Sequence, residues 1–177
     1  MSNPDKKILL DADVISHFIK GDQLNFLPQI FPNKLLILDI VKQEISRRSG
    51  WDQVIQQFID NTDVQVVAFP QEIEFLKEYA HLTSTGGHAL GKGESACLVY
   101  CRYNKDILAS RNLKDILRYR DFHNIEYLTT KEILVEGYNK GILSEKDCND
   151  FINKIKKKGS KFPYDTFSLI IVLKKEF

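Results

Sequence analysis

Five apolar runs of strand length, Ile8 to Leu10, Leu35 to Leu38, Val64 to Phe69, Ile107 to Ala109 and Ile125 to Leu128, are separated by segments whose apolar residues recur with the helical period. A strand covered on both faces reads as a continuous apolar stretch, and consecutive parallel strands need a crossover long enough to hold a helix. The alternation therefore predicts an α/β fold, a three-layer α/β/α sandwich around a mostly parallel central sheet. Helices are expected at about Asp13 to Lys20, Ile40 to Arg48, Trp51 to Asp60, Gln71 to Leu82, Gly93 to Tyr103, Leu113 to Asp121, Thr130 to Lys140 and Ser144 to Lys157. Pro28 and Pro32, the stretch Thr83-Ser84-Thr85-Gly86-Gly87, and Gly137 and Gly141 mark the breaks.

A chain of 177 residues fits one domain with its own core. Residues 144–177 are read as a C-terminal helix and tail extension. Ser144 is the expected N-cap of that helix, with Glu145 and Asp147 in its first turn. Phe162 to Phe177 fits helix or strand equally, either packed on the core or set over a groove or subunit contact. Cys97, Cys101 and Cys148 form no CxxC pair and read as buried apolar side chains. The longest late apolar run, Phe167 to Leu173, falls short of the ~20 residues that cross a bilayer, and the N-terminus shows no signal-peptide core. A cytoplasmic protein without membrane contact is the expectation. The net charge of +1 excludes a broadly basic nucleic-acid glove, so any such contact must use local patches.

In open α/β sheets ligands bind beyond the carboxyl ends of the strands. Asp11 closes the first strand run and Ser110-Arg111-Asn112 closes a later one, while Glu44 and Glu94 follow in distinct settings. Carboxylates converging on one crevice repel one another by about 4 kcal/mol at ~4 Å in an effective dielectric of 20. Such a cluster must either hold a proton or take up a hard cation, and Mg²⁺ or Mn²⁺ suits carboxylate and water oxygens. Glu94, after Gly91-Lys92-Gly93, sits in a helix's first turn, where the dipole favours its anion and glycines allow close approach. Taken alone, it would simply satisfy the helix terminus.

Four blocks, Leu9-Leu10-Asp11-Ala12-Asp13-Val14-Ile15, Val41-Lys42-Gln43-Glu44, Gly91-Lys92-Gly93-Glu94-Ser95-Ala96 and Leu108-Ala109-Ser110-Arg111-Asn112, together resemble the PIN-domain family, including VapC-like toxin ribonucleases, over about residues 7 to 130. The later stretch from Thr129 through Leu143 is similar to the C-terminal half of a PIN subgroup. The resemblance implies a metal-dependent endoribonuclease that uses Mg²⁺ or Mn²⁺, with Asp11, Glu44 and Glu94 as catalytic and metal-holding acids. It also implies an RNA substrate, homodimerisation and, for toxin members, a small antitoxin that fills the acidic groove. Asn112 stands where members with Thr-Arg-Asp carry a fourth acid. An amide still orients a water but brings no charge and cannot act as a general base.

Accessory roles follow for four neighbours. Asp115 either replaces part of the missing charge or is a solvated helix residue. Asp13 either orients water near Asp11 or caps the first helix. Ser110 serves a phosphate, a water or a helix cap, and Arg111 suits bidentate phosphate contact. Lys114 and Arg118, with Arg120, form a basic helix near Asn112 that either contacts nucleic acid or is a solvated face, and Lys154, Lys156, Lys157, Lys158 and Lys161 read first as a solvated face. Tyr100, Tyr103, Tyr119 and Tyr127 offer stacking surfaces or fill the core and rim. His17 and His88 stay outside the expected site. Two rival functions remain: a catalytically inactive PIN scaffold that binds RNA or protein, and a haloacid dehalogenase-type phosphatase, whose nucleophile motif Leu9 to Val14 also resembles.

Overall fold

In the computed structural model, which describes residues 6–84, 89–111 and 113–175, the apolar runs form β1 (Ile8–Leu10), β2 (Leu35–Leu38), β3 (Gln65–Val67), β4 (Ile107–Ala109) and β5 (Tyr127–Leu128). They make one five-stranded sheet in the order β3-β2-β1-β4-β5, and all four pairings are parallel. Ile8 lies opposite both Leu35 and Ile107, and Leu9 opposite Leu36 and Leu108. Every residue of β1 and β2 is buried, as a central parallel strand covered on both faces requires. Helices flank the sheet, so the fold is an α/β/α sandwich.

The helices are α1 (Ala12–Lys20), α2 (Leu27–Ile30), α3 (Asp39–Ser46), α4 (Trp51–Asp60), α5 (Ile73–Ser84), α6 (Lys92–Asn104), α7 (Leu113–His123), α8 (Thr130–Asn139), α9 (Glu145–Lys157) and α10 (Phe167–Lys175). Two of them refine the sequence reading. The prolines that suggested a break before β2 frame the one-turn α2, with Pro28 in its first turn, where an amide hydrogen would have no intrahelical partner. The ambiguous C-terminal stretch becomes α10, which buries Phe167 and Ile170 three residues apart.

The two outer strands are shorter than their apolar runs. The Phe69 amide hydrogen goes to Asp39 Oδ1 (3.0 Å) rather than into a ladder. The Ile125 amide hydrogen goes to the Arg120 carbonyl (3.0 Å), where it closes α7.

The N-cap expected at Ser144 is present and forms a capping box, with the Asp147 amide donating to Ser144 Oγ (3.1 Å) and the Ser144 amide donating to Asp147 Oδ2 (2.8 Å). From α9, Phe151 packs on Phe18 of α1 with ring centroids 4.9 Å apart. Gly21 makes room for it, because a Cβ there would stand 2.3 Å from the Phe151 ring. The C-terminal extension thus shares the main core. The three cysteines are buried free thiols. Among the described residues no helix is long and apolar enough to cross a membrane.

The chain runs from β1 outward through β2 to β3, then returns to place β4 on the other side of β1. The strand order reverses between β1 and β4, and such a reversal opens a crevice at the carboxyl ends of the two strands. Asp11 and Ser110 are the first residues beyond those ends.

Candidate functional site

The Asp11 amide hydrogen bonds the Ala109 carbonyl (2.9 Å), which extends the β1–β4 ladder by one rung and fixes the residue at the crevice. Its carboxyl is drawn inward and capped. Oδ1 accepts from the Ala12 amide (2.7 Å), and Oδ2 accepts from the Ser110 hydroxyl (3.0 Å). Asp11 is 5% exposed. Burial and the neighbouring Asp13 charge, with a smaller push from Glu44, outweigh the two hydrogen bonds and lift its pKa from 3.8 to about 7. Burial acts first, because a site taken out of water disfavours the charged carboxylate.

Asp13 lies inside the first turn of α1, and Asp11 holds the cap position. The N-cap alternative for Asp13 is thereby corrected, since the helix begins one residue earlier than its periodicity suggests. The Asp13 carboxylate instead meets the Arg111 guanidinium at 3.3 Å. That ion pair ties the turn after β1 to the turn after β4 across the crevice. Ser110 spends its hydroxyl hydrogen on Asp11, so its first task is orienting that carboxyl.

Glu44 comes from α3 and Glu94 from the first turn of α6. A Cβ on Gly93 would stand 2.5 Å from Glu44 Oε2, so the buried glycine is the notch that lets the α3 carboxylate reach the start of α6. One turn along α6, the Cys97 thiol is held well above its ordinary range by burial first, and then by the charges of Asp11, Cys101, Glu44 and Glu94. The three acids therefore lie within electrostatic reach of one buried side chain. Among the described residues, however, no three His, Cys, Asp or Glu side chains form a group tight enough to hold a metal ion. The interacting pair, Asp11 and Glu44, offers hard oxygen donors to a small dication that keeps most of its water, as Mg²⁺ does with one or two carboxylates. On donor chemistry alone these carboxylates suit such an ion, while the neighbouring Asp13 charge is matched by Arg111.

Asn112 lies outside the described residues, as do Gly86, Gly87, His88 and the side chains of Lys114 and Asp115. Arg118 is exposed on α7. The C-terminal lysines are largely matched, with Lys154 and Lys158 each 3.2 Å from Asp22 and Lys156 paired with Asp165. Tyr119 bonds Glu78, which also pairs with Arg102. This link ties α7 to α5 and α6.

Two residues outside the expected set reach the corner. The Arg48 Nη1 donates to Ser16 Oγ (2.6 Å), Nη2 lies 3.9 Å from Glu44 Oε1, and the guanidinium covers the Trp51 ring at 5.0 Å. Ser16 in turn donates to the Ala12 carbonyl (2.6 Å). The Glu44–Arg48 spacing of four residues on a predicted helix was the available signal. His17, set aside in the sequence reading, is buried with Nδ1 3.0 Å from Thr130 Oγ1. Burial and the Arg111 cation, against a smaller opposing pull from Asp13, lower its pKa from 6.5 to about 4. It is a neutral imidazole in the field of the Asp13–Arg111 pair.

Two broad depressions lie elsewhere. One of about 900 Å³ borders the starts of the strands, at Ile8, Lys34 and Ile107. The other, about 1080 Å³, lies between the Leu24–Phe26 turn and α4, beside Trp51. Neither is lined by Asp11, Ser110 or Arg111. Comparison with protein families and with curated proteins yields no relative, since no family model matches the chain and no curated protein matches it.

Proposed function

We propose that this chain is a PIN-type ribonuclease that cuts RNA phosphodiester bonds with Mg²⁺ or Mn²⁺. The observation that carries the reading is Asp11, a carboxyl held at the β1–β4 switch point by Ser110 and the Ala12 amide, whose burial first, and then the charges of Asp13 and Glu44, lift its pKa to about 7. Asp11 and Glu44 would hold the ion with support from Glu94, and Asn112 would orient a water beside it. When bound, the cation supplies an activated water and neutralises charge building on the phosphate oxygens.

The chain's own residues do the rest. Ser110 and the Ala12 amide fix the Asp11 carboxyl, so that its lone pairs are aimed before substrate arrives. Asp13 anchors Arg111 at the rim, where a planar guanidinium suits a phosphate. Arg118, exposed on α7, would add positive charge for the strand, and Lys114 is assigned the same task from its place in the sequence. One charge short at Asn112, the site is expected to turn over slowly. A homodimer, an antitoxin that covers the acidic corner and a cytoplasmic setting belong to the same proposal.

A defined panel of single-stranded and structured RNAs, incubated with Mn²⁺ or with chelator, tests the reading. Wild type should cut slowly in Mn²⁺ and not in chelator. Asp11→Asn and Glu94→Gln should lose about a hundredfold or more, and Asn112→Asp should gain. RNA left intact by every variant, Asn112→Asp included, or cut equally by Asp11→Asn, would overturn the nuclease reading; RNA bound but never cut would leave a scaffold.

A further inference from the structure

The geometry points to Trp51 and the depression beside it as the seat for an unpaired nucleobase of the strand that is cut, with preference for bases that carry an exocyclic amino group. This inference rests on the nuclease reading for the direction of the strand but not for the binding itself.

A short relay of contacts joins the acidic corner to the depression. Asp11 caps α1, the Ala12 carbonyl receives the Ser16 hydroxyl, Ser16 receives Arg48, and Arg48 lies against Trp51. A phosphate near Glu44 would therefore have a guanidinium beside it, and the adjoining base would have an aromatic ring within reach. Arg48 is held from three sides, by Ser16, Glu44 and Trp51. Such a fixed cation next to an aromatic ring is how single strands are gripped without base pairing, by phosphate contact and stacking together.

The depression has the matching chemistry. Its volume of about 1080 Å³ accommodates a nucleoside. Phe26, Trp51 and Val54 supply apolar surface, while the amides of Gln29, Gln57 and Asn61 provide donors and acceptors for a base edge. Lys158 lines it as well, paired with Asp22, and Asp63 is a second carboxylate of the lining, so the phosphate charge is met by Arg48 rather than by the depression itself.

Gln23 supplies a further pointer. It is 93% buried, from 7% relative exposure, and lines the same depression. Its Nε2 donates to the Asp147 carbonyl (2.8 Å), which fixes the amide's orientation. Oε1 is left as a buried acceptor without a partner. An unfilled buried acceptor calls for a donor, and the amino group of adenine or cytosine is one that uracil lacks. The oxygen is shielded from solvent, so a base reaches it only when neighbouring side chains move.

Trp51 is the sole tryptophan of the chain, so its fluorescence reports the site directly. Titrating the full chain in chelator with short oligoadenylate, oligouridylate and an abasic oligomer separates stacking from charge. Oligoadenylate should quench the emission saturably, oligouridylate should bind about tenfold more weakly, and the abasic oligomer should leave the emission unchanged. By anisotropy of labelled oligoadenylate, Trp51→Ala should weaken binding about tenfold, and exposed Gln57→Ala severalfold. Gln23→Leu should narrow the gap between the two bases. Equal quenching by all three oligomers, or cleavage and binding unmoved in Trp51→Ala, would overturn the base site while leaving the nuclease intact. Base-dependent quenching without any metal-dependent cutting would keep the base site and remove the nuclease.

Discussion

Two helix starts in this molecule use the same device, a side-chain carboxyl accepting backbone and hydroxyl hydrogens, and end in opposite electrostatic states. At α9, Asp147 is solvated and bonded by Ser144, and those bonds hold its carboxyl below the ordinary range. At α1, Asp11 has two comparable bonds, yet burial and the charges of Asp13 and Glu44 drive it up to about 7. A helix cap is stabilising where water shares the charge. Placed at the strand-order reversal among other acids, the same geometry becomes a site of stored unfavourable charge. The difference separates scaffold from chemistry, because natural chains accept such a cost mainly where function uses it.

The sharpest way to break the comparison is to remove each acid in turn. Asp11→Asn should abolish metal-dependent cleavage and also stabilise the metal-free fold by about 4 kcal/mol at pH 8, since the amide keeps an acceptor for Ala12 and loses the buried charge. Asp147→Asn should do the reverse, with cleavage unchanged and stability lowered by about 1 kcal/mol. Urea unfolding and a cleavage assay on the same preparations check both. If the two variants shift stability in the same direction, the contrast fails.

pH titration sharpens it further. Asp11 has its folded pKa raised from 3.8 to about 7, so the unfolded chain ionises first and the penalty grows as pH rises between those values, then stays level. His17 has its folded pKa lowered from 6.5 to about 4, so the unfolded chain takes up the proton first and stability falls as pH drops through that window. The two slopes oppose each other between about pH 4 and 6.5. Their contributions should cancel in the wild type. Asp11→Asn should unmask stability that rises with pH there, and His17→Gln stability that falls with it, as read from urea midpoints across the range.

Gly93→Ala gives the smallest expected effect on the fold. The new methyl meets the far end of the flexible Glu44 side chain, so stability should change by only about 0.5 kcal/mol. Displacing that carboxylate should nevertheless cost about tenfold in cleavage. An unaltered rate would show that the α3 acid does not need its notch.

Much of the framework was legible because continuous apolar runs such as Ile8–Leu10 and Leu35–Leu38 have only one stable use in a chain of this kind, as central parallel strands. The limits of β3 and β5 were not, because Phe69 and Ile125 give their amide hydrogens to Asp39 and to Arg120, contacts set by tertiary position. α2 was hidden because proline marks a break and a helix start alike. At the corner, the place of Asp11 could be read from its position after an apolar run. Its burial and its bond to Ser110 could not, since Ser110 stands 99 residues away. Arg48 and His17 each lay one helical turn from a chosen acid, Glu44 and Asp13, and that spacing was the unused signal. The fourth acidic position, Asn112, lies outside the described residues, so its role rests on the resemblance alone.

The most direct test of the central claim is calorimetric titration of Mn²⁺ into wild type, Asp11→Asn and Glu44→Gln in buffers of different ionisation enthalpy. A dication held by Asp11 and Glu44 must displace the Asp11 proton, so at pH 6 wild type should release close to one proton per ion bound, and almost none at pH 8.5. Both variants should bind at least about tenfold more weakly. Equal Mn²⁺ affinity in all three chains, with no proton released at pH 6, would contradict the account.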